Sequence, residues 1–211
     1  MTHSVTFLPT LGVVAGLYLL AVASPGPNFL VLSQLSLSGQ RALGVRVALG
    51  ITLGSTSWAV LSMAGVASLL ASFVWVYSAV RLIGAAYLIW FGVQLLRSSI
   101  RGAAAVHIPP AALPPPSKAF RMGVVTSLTN PKSGAFWTSV FASLFPTDAP
   151  SWLFVATALM IAAISAAWHL GIAFLFASRR VQDGYRSLRR PIDAICGTLL
   201  IALGGRLAVT R

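Results

Sequence analysis

The first 40 residues contain no Asp, Glu, Lys or Arg, and neither does the stretch 149–178. Uncharged runs of that length limit what the chain can become, because a water-soluble surface needs far more charge than they supply. Of 211 residues, 15 are Lys or Arg and 3 are Asp or Glu, so 9% are charged while 57% are apolar. Mean hydropathy is +0.85. Soluble domains carry about 25% charged residues. A disordered chain is excluded because this one is too apolar. A disulfide scaffold is excluded because Cys196 is the only cysteine. What remains is an integral membrane protein whose main partner is the lipid bilayer.

The net charge of +12 would suggest nucleic acid in a soluble protein. Here the charges fall in bands between apolar stretches: Arg41 and Arg46; Arg97, Arg101, Lys118 and Arg121; and Arg179, Arg180, Arg186, Arg189 and Arg190. Such interleaving is the positive-inside pattern of membrane proteins. A nucleic-acid partner would need those bands on one water-exposed face, which this pattern does not offer.

A helix crosses the hydrocarbon core with about 20 apolar residues. The pattern predicts six spans, near residues 6–37, 43–71, 74–96, 120–145, 151–177 and 192–209, the first and fourth interrupted. The basic bands follow spans one, three and five, which places them in the cytoplasm and both termini outside. With no Lys or Arg before Arg41, the first span lacks a signal peptide's basic region and is expected to stay in the mature protein. Residues 98–119 hold Pro109, Pro110, Pro114, Pro115 and Pro116 and are read as an extended cytoplasmic linker. It separates a first half, 1–97, from a second, 120–211. Three spans is an odd number, so the second half enters the membrane inverted. The fold class is therefore all-α, two inverted three-helix repeats.

Each half opens with a broken span. The first break reads Ser24-Pro25-Gly26-Pro27-Asn28, the second Thr129-Asn130-Pro131-Lys132-Ser133-Gly134. Proline removes a backbone donor and clashes with the carbonyl one turn back. Lipid cannot satisfy the backbone groups this frees, so a broken helix must face protein or a water-filled cavity. At each break the second half-helix offers N–H donors and the first offers carbonyl acceptors, so two facing breaks set donors and acceptors a few ångströms apart. A zwitterionic amino acid presents the matching carboxylate and ammonium, although another small polar solute also fits. Paired Pro/Gly breaks in corresponding positions point to a transporter's site. The closing spans also match: 84–92 can be laid beside 196–204, which sets Arg81 opposite Asp193.

Ser24-Pro25-Gly26-Pro27-Asn28, the Gly-rich second span, Gly84-Ala85-Ala86-Tyr87-Leu88 followed by Gly92, Asn130-Pro131-Lys132, and Gly197 with Gly204 resemble the LysE/RhtB family of amino-acid exporters over nearly the whole chain. The resemblance implies a bacterial inner-membrane exporter of amino acids or close derivatives, driven by protons or the membrane potential. Its motif positions here are Pro25, Gly26, Pro27, Asn130, Pro131 and Lys132.

Lys132 stands mid-span, where an unpaired cation costs about 2.5–3.5 kcal/mol. It either binds a substrate carboxylate or locks a gate on carbonyls of the opposite break; plain capping of helix-end carbonyls is the structural alternative. Asp193 is a candidate proton carrier or a surface partner of Arg189 or Arg190. His169, inside span five, is a candidate proton relay or a histidine bonded to a neighbouring helix. Arg81 either snorkels outward or pairs inside. The pairs Gly12/Gly16 and Gly50/Gly54, and Ala163/Ala167/Gly171, are expected to be packing seams. Trp75, Tyr77 and Trp152 suit a membrane interface.

Enzymatic readings fail on the sequence. It has no Cys-x-x-Cys, no Gly-x-Ser-x-Gly and no Walker loop. No cofactor and no metal site are expected. A small-cation exporter of related architecture would need acidic or thiolate ligands, and the chain has only three acids. The sequence leaves the particular amino acid and the oligomeric state open, a homo-oligomer included.

Overall fold

The computed structural model describes residues 7–24, 26–37, 39–72, 74–101, 115–145, 149–176 and 178–209. Among them every regular element is a helix: α1 (Leu8–Ala23), α2 (Pro27–Leu37), α3 (Arg41–Ser72), α4 (Val74–Arg101), α5 (Pro116–Leu128), α6 (Pro131–Leu144), α7 (Ser151–Leu175) and α8 (Arg179–Val209). Three stretches are long and apolar enough to cross a membrane: Arg41–Gly65, Leu82–Ile100 and Ser151–Leu175. The α1–α2 pair, bent by 56°, makes a fourth if taken as one span.

Proline sets the helix starts at both breaks. Pro27 opens α2 and Pro131 opens α6, positions where a missing N–H costs nothing. Pro116 likewise opens α5, so this helix starts before the expected 120. The turn from α2 to α3 uses Gly39 at φ 72°, a left-handed conformation suited to glycine. Its N–H bonds Ser36 O, and the Gln40 N–H bonds Leu35 O, which closes α2.

Helix α8 begins well before the expected 192. The basic stretch read as a loop is helical, and Pro191 lies inside the helix. That segment carries Val181, Tyr185 and Leu188 at helical spacing, and Val181 and Tyr185 pack on the core. The central part of the proposed linker, 102–114, lies outside the described residues, as do Pro109, Pro110 and Pro114.

Close helix crossings occur at glycine. On antiparallel α4 and α8, a Cβ at Gly92 would stand 2.6 Å from Gly197 O, and one at Gly197 2.6 Å from Gly92 O. A Cβ at Gly204 would stand 2.8 Å from Ala85 O. Helix α3 crosses α5 the same way, with Gly50 against Phe120 O and Gly123 against Val47 O. Gly50 and Gly54 therefore form the expected seam. Gly12, Gly16 and Gly171 do not: an added Cβ at any of them meets nothing within 4 Å. Equal spacing did not give equal roles, because the partner helix decides.

The buried apolar side chains form two clusters. One gathers Val14, Tyr18, Ala21, Ala59, Phe136, Trp137 and Ile161 among others. The other gathers Phe29, Leu32, Val47, Ile51, Ala119 and Ile172. In chain order, Ser24, Ser55, Ser127, Asn130, Ser165 and His169 are buried polar residues that fall between the clusters, while Ser36, Ser62, Ser139 and Thr157 lie within them. A polar layer thus crosses the bundle at the level of the breaks. Large apolar side chains such as Leu19, Leu61, Ile83 and Leu159 face outward, as lipid contact requires.

Candidate substrate-binding site

The two breaks meet. From the first turn of α6, Lys132 Nζ donates to Ala21 O at 2.8 Å and to Ser24 O at 3.0 Å, both at the C-terminal end of α1. The lysine stem passes Gly26, where a Cβ would lie 3.6 Å from Cδ. The ammonium also stands 5.0 Å from the Phe91 ring centroid, a cation–π contact. Other α1 carbonyls are taken by α8: Tyr185 Oη donates to Ala23 O at 2.7 Å and Cys196 Sγ to Leu20 O at 3.3 Å. Side chains from two helices thereby replace the water that an exposed helix end would use.

The second break is capped from within. Asn130 is 5% exposed, and its Oδ1 accepts the Lys132 N–H at 3.0 Å. Its carbonyl accepts the N–H groups of Ser133 and Gly134 at 3.0 and 3.4 Å. Trp58 Nε1 donates to Leu128 O, the last carbonyl of α5, at 3.1 Å. The first N–H groups of α6 are therefore occupied. The donor this break extends toward the other is the lysine ammonium, not the open helix end expected from the sequence.

Between the breaks lies a cavity of about 50 Å³, room for a few waters. Ser24, Gly26, Asn28, Asn130, Lys132, Ser133 and His169 line it, together with Tyr18, Ser55, Phe29 and Trp137. Two of its polar atoms, Ser24 Oγ and Asn28 Oδ1, are buried without a hydrogen-bond partner, while Tyr18 Oη faces Ser55 and Ser165. Buried polar atoms ordinarily find partners, so two such atoms in one cavity mark a place for a polar guest. Aromatic stacks flank it, through Tyr18 and Trp137 toward one cluster and Phe29 toward the other. Tyr18 lies 4.7 Å from Trp137, which stacks on Phe141 at 5.4 Å. On the other side Phe29 stacks on Tyr185 at 4.7 Å and meets Phe176 at 5.3 Å.

The remaining expected residues are placed as follows. Pro27 is exposed and Pro25 lies outside the described residues. Pro131 contributes the helix start. Thr129 turns away, its Oγ1 bonding Val125 O at 2.7 Å, and lines a wider, mostly apolar groove behind the break. His169 reaches the cavity wall, while its Nδ1 sits 2.7 Å from Ser165 O on its own helix. With the proton on Nδ1, Nε2 is left as acceptor. Asp193 does not line the cavity. It is 1% exposed, receives Ser98 Oγ at 3.1 Å and lies 3.7 Å from Arg189 Nε. Its link to Arg189 is thus present, with the carboxylate buried and the arginine partly exposed. The side chains of Arg81, Trp75 and Tyr77 lie outside the described residues. Tyr18, Ser55 and Trp137 were not singled out in the sequence; a lone polar ring one and a half turns before the break was the available signal for Tyr18.

Among the described residues, no three His, Cys, Asp or Glu side chains gather closely enough to hold a metal ion. Apolar helices around a small polar cavity at two helix breaks define a membrane transporter. The chain belongs to the LysE type translocator family, whose pattern matches residues 19–211. It is 32% identical to the threonine efflux protein of Escherichia coli (strain K12) and 33% identical to that of Salmonella typhimurium, over 94% of this chain and 97% of each relative. It is 29% identical to the leucine efflux protein of Enterobacter sp. (strain 638), over 89% of both chains. No solved structure matches the chain.

Proposed function

We propose that this translocator exports small amino acids across the bacterial inner membrane by alternating access, from a site between the two breaks. The observation that carries the reading is the cavity bridged by Lys132, where carbonyl acceptors and a cationic donor face each other. The efflux proteins among its relatives support the substrate class. Ser24, Gly26, Asn28, Asn130 and Lys132 form the binding and gating set.

Contacts between α4 and α8 support six spans arranged as inverted repeats. Laying 84–92 beside 196–204 pairs Ala85 with Gly197, Ile89 with Ile201 and Gly92 with Gly204. A two-fold axis exchanging the halves must then turn the Gly204–Ala85 approach into Gly92–Gly197. Both approaches occur, at 2.8 and 2.6 Å for an added Cβ. The flanking approaches match too: a Cβ added at Gly204 would lie 2.8 Å from Ile89 Cγ1, and one added at Gly92 2.7 Å from Ile201 Cγ1. Helix α3 packs on α5 and α6, and its counterpart α7 on α1 and α2.

With the basic bands in the cytoplasm, substrate enters from the Phe29–Tyr185 side and leaves past Tyr18 and Trp137. A zwitterion gains nothing from the membrane potential, whereas each net charge moved is worth about 2.3 kcal/mol per 100 mV. An inward proton is the proposed driver, with His169 at the cavity wall as its carrier. Proteoliposomes loaded with radiolabelled amino acids test the reading. Efflux of threonine or a similarly small amino acid, slowed when a protonophore collapses the gradient, is expected. Retention of every amino acid in a full panel contradicts export, and efflux against a concentration gradient undiminished by the protonophore contradicts the proton drive.

A further inference from the structure

We propose that the C-terminal end of α1 is a subsite for a primary ammonium group, held by Lys132 in this structure and yielded to the substrate's α-amino group in transport. The proposal rests on the cavity being the amino-acid site. The acceptors gathered there are Ala21 O and Ser24 O, which hold Nζ, with Ser24 Oγ and Asn28 Oδ1 buried beside them without partners. Such a set of oxygens suits a cation with several N–H donors and repels a carboxylate. Phe91 adds the face of an aromatic ring at 5.0 Å.

The lysine head and an α-ammonium are the same chemical group. The cavity of about 50 Å³ is small because the lysine already occupies its acceptor end. An arriving amino acid therefore displaces Nζ from the two carbonyls, and the displaced ammonium is then placed to meet the substrate carboxylate. Aligning Pro27 with Pro131 sets Asn28 opposite Lys132. The first break thus holds an acceptor where the second holds a donor, the complement of a zwitterion. In low dielectric, acceptors left without a cation are costly. Exchanging one ammonium for another keeps them satisfied throughout, which ties opening of the cavity to its occupant.

The test uses ethylammonium on the purified full-length transporter. In the Lys132→Gly variant, which removes the tethered amine, ethylammonium is expected to raise the thermal unfolding temperature, while tetramethylammonium, which has no N–H, does not. Wild type is expected to respond to neither. Equal responses of wild type and variant, equal effects of the two ions, or no response of the variant overturn the subsite. If Lys132→Gly does not fold, competition on wild type decides. The α-hydroxy acid analogue of an exported amino acid must fail to slow its efflux, and competition equal to the amino acid itself overturns the proposal. Amino-acid efflux with no ethylammonium effect removes the subsite alone. Absence of efflux for every amino acid removes the exporter reading, while a selective ethylammonium effect still upholds the subsite.

Discussion

At the scale of residues, position 132 is tied to 130. Asn130 caps α6 through the Lys132 N–H and so fixes where the lysine stem begins. Asn130→Ala is expected to cost about 0.5–2 kcal/mol of stability, the usual effect of losing an N-cap. It should also lower export by more than that loss explains, because the ammonium loses its aim; measurements of unfolding and efflux on the same preparation separate the two. Asp193, which does not line the cavity, gives a contrast. Ser98→Ala removes the hydrogen bond to its Oδ2, beside an Oδ1 that already has no donor, and is expected to cost about 1–3 kcal/mol, read as a lower unfolding temperature with efflux per folded molecule unchanged. For His169, replacement by Gln keeps polarity but cannot titrate near neutral pH. The proton-carrier role predicts that the pH dependence of efflux flattens in His169→Gln, and an unaltered profile rejects that role.

At the scale of elements, the crossings separate glycines that look alike in sequence. Gly92→Ala places a methyl 2.6 Å from Gly197 O, backbone that cannot yield as a flexible side chain does. It should push α4 from α8 and sharply reduce folded yield, whereas Gly12→Ala, with nothing within 4 Å, should be neutral; fluorescence size-exclusion of both variants checks this. The contrast also marks how far the sequence could be read. Both breaks were legible because proline acts on its own backbone, and Lys132 because a lone cation in an apolar run must find acceptors. Ser55, Trp58 and Tyr185 were not legible, since what they touch lies far away in the chain. The early start of α8 was missed for another reason: Val181, Tyr185, Leu188 and Ile192 recur at helical spacing, but the dense arginines among them read as a basic loop.

At the scale of the whole molecule, the proposal is that one polar layer between two apolar clusters serves both faces of the membrane. The layer is built from both halves, Ser24 and Ser55 from the first, Ser127, Asn130, Ser165 and His169 from the second. Rocking of one half against the other then opens the Phe29–Tyr185 stack or the Tyr18–Trp137 stack in turn, and the guest between them changes sides. An electron cryo-microscopy map of the transporter with its exported amino acid bound tests this most directly. The account predicts substrate density between the α1 carbonyls of Ala21 and Ser24 and the α6 start, with Lys132 Nζ moved onto the carboxylate. Density elsewhere, with Nζ still on both carbonyls, would contradict it.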